Sequence, residues 1–228
     1  MKLQNCSAYV LTTCFGLFTI FNVNVAHALT QLEASAVVTN TASVKQKLQN
    51  ILAKTSNYSA EFKQEIIDNE GNLLQSASGL ISLAKPNQMR WETQFPDETV
   101  LVADGKSVFN LDSAVEQLTI FEQQDIGQNN PLMLLVSDDE EQWKQVTVSQ
   151  TSTQNQYAIV SVDPTSNIRS VLLTFSQDTL VSLESVDIQG QVNKLAFDSV
   201  KVNQAMNPNT FKVDVPDYFV IDDQRSPS

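Results

Sequence analysis

The stretch that decides the fold lies near the middle of the chain and reads QMRWETQFPDETVLVADGKSVF, residues 88–109. Its first part, residues 88–95, alternates polar and mostly apolar side chains with the two-residue period of a half-buried β-strand. A Pro-Asp pair ends that strand. Asp104-Gly105 then stands between two apolar runs, which is the strongest short-range signal for a β-hairpin. The stretch therefore predicts a strand followed by a hairpin.

Before and after residues 88–109, the pattern of apolar and polar residues predicts one helix and many further strands. Residues 43–46 read as a capping box that starts an amphipathic helix over 44–54. Roughly a dozen strands, few helices and no linker predict a single, mainly β domain of the α+β kind, built on one strongly curved antiparallel sheet. Beyond the stretch above, strands are predicted at 58–66, 73–84, 117–122, 144–149, 156–162, 168–176, 179–188, 191–202 and 211–215.

The amino-acid composition and the net charge restrict the kinds of molecule that this chain is expected to bind. The chain has 228 residues, of which 42% are hydrophobic and 18% charged, as in packed globular proteins. Its formal net charge is −12. A nucleic-acid-binding protein needs a basic surface, and so does a protein that docks electrostatically on anionic lipid. The charge therefore argues against both classes, and no nucleic-acid partner is expected.

The first 28 residues are predicted to be a cleavable signal peptide. Lys2 precedes an uncharged stretch over 8–25, and Ala26-His27-Ala28 is a small-x-small site of the kind that signal peptidase accepts. One alternative is a membrane anchor, because the uncharged stretch reaches the lower limit of a spanning helix. The other is lipidation at Cys14. Cleavage would leave a single domain over 29–228.

The supply of reactive side chains argues against catalysis. The two cysteines, Cys6 and Cys14, and the one histidine, His27, all precede residue 29. Residues 29–228 therefore offer no thiolate nucleophile, Ser-His-Asp triad, disulfide or histidine metal site. The six glycines form no phosphate-binding loop. We expect no enzyme activity, no cofactor and no metal.

Two features are suited to an apolar ligand. The apolar run Pro131–Val136 is either a buried short helix or a lid over a hydrophobic cavity. The acidic run 138–141 behind it is predicted to be a solvated loop, with Trp143 beside it and away from any cavity. Large apolar side chains along the predicted strands are either ordinary core or the wall of that cavity. They are Phe62, Met89, Trp91, Phe95, Phe109 and Phe121.

Together, several of these motifs resemble the LolA family of periplasmic carriers of outer-membrane lipoproteins in Gram-negative bacteria. The run 130–135 is similar to the lid segment of that family, and Phe211–Pro216 to its closing strand. The similarity extends over most of residues 43–223. It is most specific in Ala84-Lys85-Pro86-Asn87-Gln88-Met89-Arg90-Trp91-Glu92, Pro96, Val100-Leu101-Val102-Ala103-Asp104-Gly105-Lys106, Phe109 and Gln117.

This resemblance implies an incomplete β-barrel covered by short helices that act as a lid. The six side chains given above would line a cavity for acyl chains. The lid would be formed by Pro131, Leu132, Met133, Leu134 and Leu135. Such a carrier is a periplasmic chaperone, expected to be a monomer. It takes acylated lipoproteins from an inner-membrane ABC transporter complex and delivers them to an outer-membrane receptor lipoprotein. The alternative is a periplasmic lipid-sensing regulatory or lipid-binding module of the same fold.

One departure from the family pattern concerns the lid. The arginine that ties the lid shut in the family falls on Lys85. Lysine keeps the positive charge but lacks the planar fork of donors that a guanidinium presents. Lys85 is therefore expected to be the lid latch, with a less rigid hold on the closed state.

Overall fold

A computed structural model describes residues 41–124, 133–137 and 139–225, which lie within the compact unit Val38–Ser228. The predicted signal peptide, Pro131 and Leu132 lie outside the described residues. The strands are β1 Asn57–Ile67, β2 Leu73–Ala84, β3 Gln88–Phe95, β4 Thr99–Asp104, β5 Ser107–Asp112, β6 Gln117–Glu122, β7 Val146–Gln150, β8 Gln156–Ser161, β9 Ile168–Ser176, β10 Thr179–Asp187, β11 Val192–Val202 and β12 Val220–Asp223.

These strands form one curved sheet in the order β12-β6-β5-β4-β3-β2-β1-β11-β10-β9-β8-β7. Strands that follow one another in sequence are antiparallel neighbours within each half, and the halves join where β1 pairs with β11. Because β12 and β7 stand at the two ends, the sheet is open. The predicted fold, a mainly β domain on a curved open sheet, is confirmed.

The central hairpin is confirmed as well. Strands β4 and β5 pair antiparallel, and Ala103 lies opposite Val108. Between the strands, the Asp104 carboxylate accepts hydrogen bonds from the backbone N–H groups of Lys106 (2.8 Å) and Ser107 (2.9 Å). Gly105 has a φ of 103°, a conformation that costs glycine little. The turn chemistry therefore explains why this signal was reliable.

The C-terminal part of the chain differs from the prediction. No strand forms over 211–215, and β12 forms instead at Val220–Asp223, parallel to β6. Arg90, on the outer face of β3, donates from Nη1 to the carbonyl oxygens of Thr210 (3.4 Å) and Lys212 (3.2 Å). The segment thus lies across the outer face, where its carbonyls bond to a guanidinium rather than to a strand.

The prediction of a solvated loop over the acidic run is also wrong in part. Residues Glu140–Lys144 form a short helix whose N-cap, Asp139, accepts a hydrogen bond from the N–H of Glu141. Two further acidic residues in the first turn suit the positive end of the helix dipole. Residues 139–141 of the acidic run therefore start a helix, and this helix turns Trp143 into the core.

Three helices of the described residues cover the inner face, the face of the sheet that carries Tyr58, Phe62 and Met89. They are α1 (41–53), α2 Met133–Val136 and α3 Glu140–Lys144. Their buried side chains and the inner face form one hydrophobic cluster. The helices contribute Leu48, Ile51, Leu52, Met133, Leu135, Val136 and Trp143.

Helix α1 is held by lysine side chains as well as by its apolar face. The ammonium group of Lys45 donates to the carbonyl oxygens of Trp143 and of Val146, the latter at 3.0 Å. Burial lowers the pKa of Lys45. Just after the helix, Lys54 pairs with Asp178 at 2.7 Å. Both contacts tie α1 to the half of the sheet that ends in β7.

Gly79 allows the inner face to close around its aromatic residues. A Cβ at this position would overlap the carbonyl oxygen of Glu92 and lie 3.0 Å from the ring of Phe62. The pairing of β2 with β3 shifts register here, between Ser78 and Gly79. Any side chain would therefore push β2 away from β3 and displace Phe62.

We expect Gly79→Ala to lower the free energy of unfolding by about 3 kcal/mol or more, because the added methyl overpacks a strand contact. Gly71→Ala is the matched control. A Cβ at Gly71 would meet no atom within 4 Å, and the φ of this residue is +91°, so only backbone strain of about 1 kcal/mol is expected. Urea denaturation measures both losses, and equal losses would contradict the argument.

Candidate functional site

The inner face of β1 and β3 carries a continuous apolar wall. Phe62 and Met89 are both 2% exposed. Across β2, the ring of Phe62 stacks on that of Trp91, with centroids 3.9 Å apart and planes tilted by 31°. The indole N–H of Trp91 donates to the hydroxyl of Thr93 at 3.2 Å, so the one polar atom of this side chain is satisfied.

The other three predicted wall residues are placed differently. Phe121 is half-buried and packs against the same cluster. Phe95 has the strand parity of Trp91, but it ends β3 and is 60% exposed. Phe109 lies opposite Val102 and Ile120, which places it on the outer face, while its neighbour Val108 points inward. The wall therefore consists of Phe62, Met89, Trp91 and Phe121, without the exposed Phe95 and the outward-facing Phe109.

The described part of the predicted lid is helix α2. Met133 and Leu135 are 5% and 6% exposed, and Leu134 is half-buried. Val136, which follows them, is also buried. Because apolar side chains on several sides of this short helix are covered, α2 is seated inside the cluster rather than resting on the surface.

Helix α2 separates two cavities. On one side is a void of about 30 Å³, lined by Leu135 and Val136 together with residues of α1, β1 and β10. On the other is a cleft of about 1150 Å³, lined by Met133 and Leu134 and by residues of β7, β8 and β9. The far wall of this cleft comes from the hairpin turn at Gly105 and the end of β6.

A buried glutamine joins the loops next to α2. The amide nitrogen of Gln123 donates to the carbonyl of Asn87 at 2.8 Å, and its oxygen accepts from the N–H of Gly105 at 2.9 Å. The N–H of Asn87 in turn donates to the carbonyl of Val136 at 3.2 Å. No pattern in the sequence marks Gln123, because its place between the two loops arises only when the chain folds.

Lys85, the predicted latch, begins the turn that contains Asn87. Its side chain is half-buried, and its backbone N–H donates to the carbonyl of Ser56 at 2.9 Å. Lys85 is thus placed two residues from the backbone bond to the C-terminal end of α2.

Trp143 does not lie apart from the interior, as the sequence suggested. It is 6% exposed and belongs to the same hydrophobic cluster as Phe62 and Met89. The helix that buries it starts at the acidic run, so polarity next to a residue in sequence was a poor guide to its environment. Trp143 thus lies within the cluster, and Trp91 packs against it.

The wall and α2 offer apolar contact, whereas the large cleft is lined mainly by polar side chains. Among the residues in 41–124, 133–137 and 139–225, no group of three or more His, Cys, Asp or Glu side chains is arranged to hold a metal ion. Burial raises the pKa of the Tyr58 hydroxyl on the inner face, which stays neutral and donates to the carbonyl of Leu180 at 3.0 Å. In the described ranges, no helix has the length and hydropathy needed to cross a membrane.

Comparison with known proteins gives consistent matches. The family described as outer membrane lipoprotein carrier protein LolA matches residues 53–214. An outer-membrane lipoprotein carrier protein of Idiomarina loihiensis is 36% identical over 182 residues, covering 80% of this chain and 88% of that protein. One from Aeromonas salmonicida is 34% identical over 185 residues, covering 81% and 89%.

Among solved structures, an uncharacterized conserved protein from Thermus thermophilus superposes with a TM-score of 0.50 at 13% identity. The superposition covers 78% of this chain and 98% of that protein. At this level of identity the similarity concerns the fold alone.

We expect Gln123→Ala to lower the free energy of unfolding by about 1–2 kcal/mol, because it removes the partners of the Asn87 carbonyl and the Gly105 N–H. Gln124→Ala is the control. The Gln124 side chain is exposed, so Gln124→Ala should lower the free energy of unfolding by no more than about 0.5 kcal/mol. Urea denaturation of both variants tests this, and an equally small loss for Gln123→Ala would show that the junction contributes nothing.

Proposed function

The chain belongs to the LolA family of outer-membrane lipoprotein carrier proteins, and we propose that it carries lipoproteins by holding their acyl chains against the inner face of its sheet. The cavity wall in this proposal is Phe62, Met89, Trp91 and Phe121. The lid is α2 with the two residues before it, Pro131 and Leu132. No covalent step is involved, because the task is to keep apolar chains out of water.

The position of α2 is the single observation that carries this proposal. The helix stands between a cleft of about 1150 Å³ and the apolar interior, and it fills that interior with its own side chains. An empty carrier needs such a filler, since an apolar cavity left open to water would be costly. A loaded carrier needs the same space for its ligand. A small helix next to a large cleft meets both requirements.

The free energy lost when the side chains of α2 leave the interior is comparable to the free energy gained when acyl chains are buried there. Withdrawing Met133, Leu135 and Val136 from the interior costs roughly 1.5–3 kcal/mol for each side chain. An acyl chain gains about 0.8 kcal/mol for each methylene group that it buries, so burying about a dozen methylenes yields roughly 10 kcal/mol. The acyl chains can therefore displace α2, and α2 can refill the space once they leave.

The carrier works, in this proposal, as a monomer in the periplasm after removal of residues 1–28. It receives cargo from an inner-membrane ABC transporter complex and delivers it to an outer-membrane receptor lipoprotein. Release requires an acceptor that binds the acyl chains more favourably than the inner face does. The closed position of α2 assists this step because it competes with the cargo for the same space.

Native mass spectrometry of the chain purified from the periplasm tests these statements together. We expect a protein that begins at Leu29, with a fraction carrying one acylated lipoprotein per chain. Mild detergent should remove that mass increment, because the contact is apolar. A chain that keeps residues 1–28, or one that never carries an acylated protein, would contradict the proposal.

We propose that Lys85 holds the lid in its closed position. The Asn87 N–H already bonds to the last carbonyl of α2, and the remaining carbonyls at that helix end are acceptors for an ammonium group. A charge-assisted hydrogen bond contributes roughly 1.5–3 kcal/mol, about a tenfold to hundredfold shift toward the closed state. The contact opposes loading and favours release.

Lys85→Leu should therefore load cargo at least as readily as the original chain and transfer it to the purified receptor more slowly. Lys85→Arg should keep the transfer rate. Lys63→Leu is the control, since Lys63 pairs with the exposed Asp198 on the outer face at 3.4 Å. Transfer is measured after equal loading of each variant. An unchanged transfer rate in Lys85→Leu would remove Lys85 from the mechanism.

A further inference from the structure

The hydroxyl group of Tyr157 is buried without a partner. Tyr157 is 0% exposed, and its hydroxyl makes no hydrogen bond. Within the described parts of the chain, no other buried side-chain nitrogen or oxygen is in this position. Tyr58, the other buried tyrosine of the inner face, donates to the carbonyl of Leu180. The sheet therefore offers a hydrogen-bond acceptor to the buried hydroxyl of Tyr58 but none to that of Tyr157.

Tyr157 lies in the hydrophobic cluster, under α1. It lies on the inner face of β8, beside Leu173 of β9. Its ring meets that of Phe175 edge-on, with centroids 5.8 Å apart. Phe175 lines the void between the helices and the sheet. From α1, the ammonium group of Lys47 stands 5.9 Å from the centre of the Tyr157 ring.

An unpaired buried hydroxyl is unfavourable, and such groups are rare in folded proteins. Phenylalanine would fill the same space without that cost. The hydroxyl is thus a donor without an acceptor among the described residues of the ligand-free chain. A ligand that enters this apolar region and carries a hydrogen-bond acceptor would supply it.

We infer that the Tyr157 hydroxyl donates a hydrogen bond to an ester carbonyl oxygen of the cargo, and this inference rests on the proposed function. Acyl chains have no polar atoms of their own. The ester groups that join them to the lipoprotein are the polar atoms that must be buried with the chains. Tyr157 therefore distinguishes an acyl ester from a plain hydrocarbon and fixes how far the chains enter.

The test compares two ligands and two proteins. The ligands are a synthetic peptide with an N-terminal S-diacylglyceryl cysteine and the same peptide with ether linkages in place of both esters. The proteins are the original chain and Tyr157→Phe. The original chain should bind the ester peptide about threefold to tenfold more tightly than the ether peptide. Tyr157→Phe should bind both peptides equally.

Thermal unfolding without ligand supplies the control for folding. Tyr157→Phe should be as stable as the original chain or more so, because it loses an unpaired group. Tyr58→Phe should be less stable, because it leaves the Leu180 carbonyl without its partner.

Binding of neither peptide by the original chain would overturn the proposed function and this inference with it. Equal binding of ester and ether peptides by the original chain would leave the function standing and overturn the role of Tyr157. A loss of stability in ligand-free Tyr157→Phe would also overturn it, because the hydroxyl would then serve the fold. If that variant does not fold, the ester-to-ether preference of the original chain decides.

Discussion

An open, curved sheet with an apolar inner face must be covered, and most features of this molecule follow from that requirement. A closed barrel would cover the face by itself, but β12 and β7 end the sheet without meeting. Helices α1, α2 and α3 supply the missing cover with their own apolar side chains. Whatever replaces one of these helices must be equally apolar, so in the proposed function the cover and the acyl chains compete for one surface.

Helices α1 and α2 differ in the polar contacts that attach them to the sheet. This difference bears on which of the two helices moves. Helix α1 is tied by the charged contacts of Lys45 and Lys54 to the half of the sheet that ends in β7. Between α2 and the β2–β3 turn, the backbone N–H of Asn87 donates to the carbonyl of Val136. Helix α2 is the shorter of the two and borders the large cleft. These differences favour α2 as the part of the cover that moves, with α1 as a fixed wall.

Much of the fold could be predicted from the sequence, because the alternation of apolar and polar residues in a strand and the residue types that favour a turn are local signals. The strand over 88–95 and the Asp104-Gly105 hairpin appear as expected, and so does the helix near residue 44. The face of Phe109 was not predictable from its motif, because a strand reverses the direction of its side chains at each residue. The contacts of Gln123 and Trp143, like the path of 211–215 across Arg90, depend on tertiary neighbours that no local pattern encodes.

The central claim is that an acyl chain enters the cluster beside Trp91. It is tested by quenching of tryptophan emission in Trp143→Phe, which leaves Trp91 as the one tryptophan of residues 29–228. The ligand is an S-diacylglyceryl cysteine peptide with acyl chains brominated near their middle, compared with its unbrominated form. We expect the Trp91 emission to fall as the brominated peptide binds and to hold steady with an equal amount of the unbrominated peptide. Binding by native mass spectrometry without quenching would place the acyl chains elsewhere and contradict it.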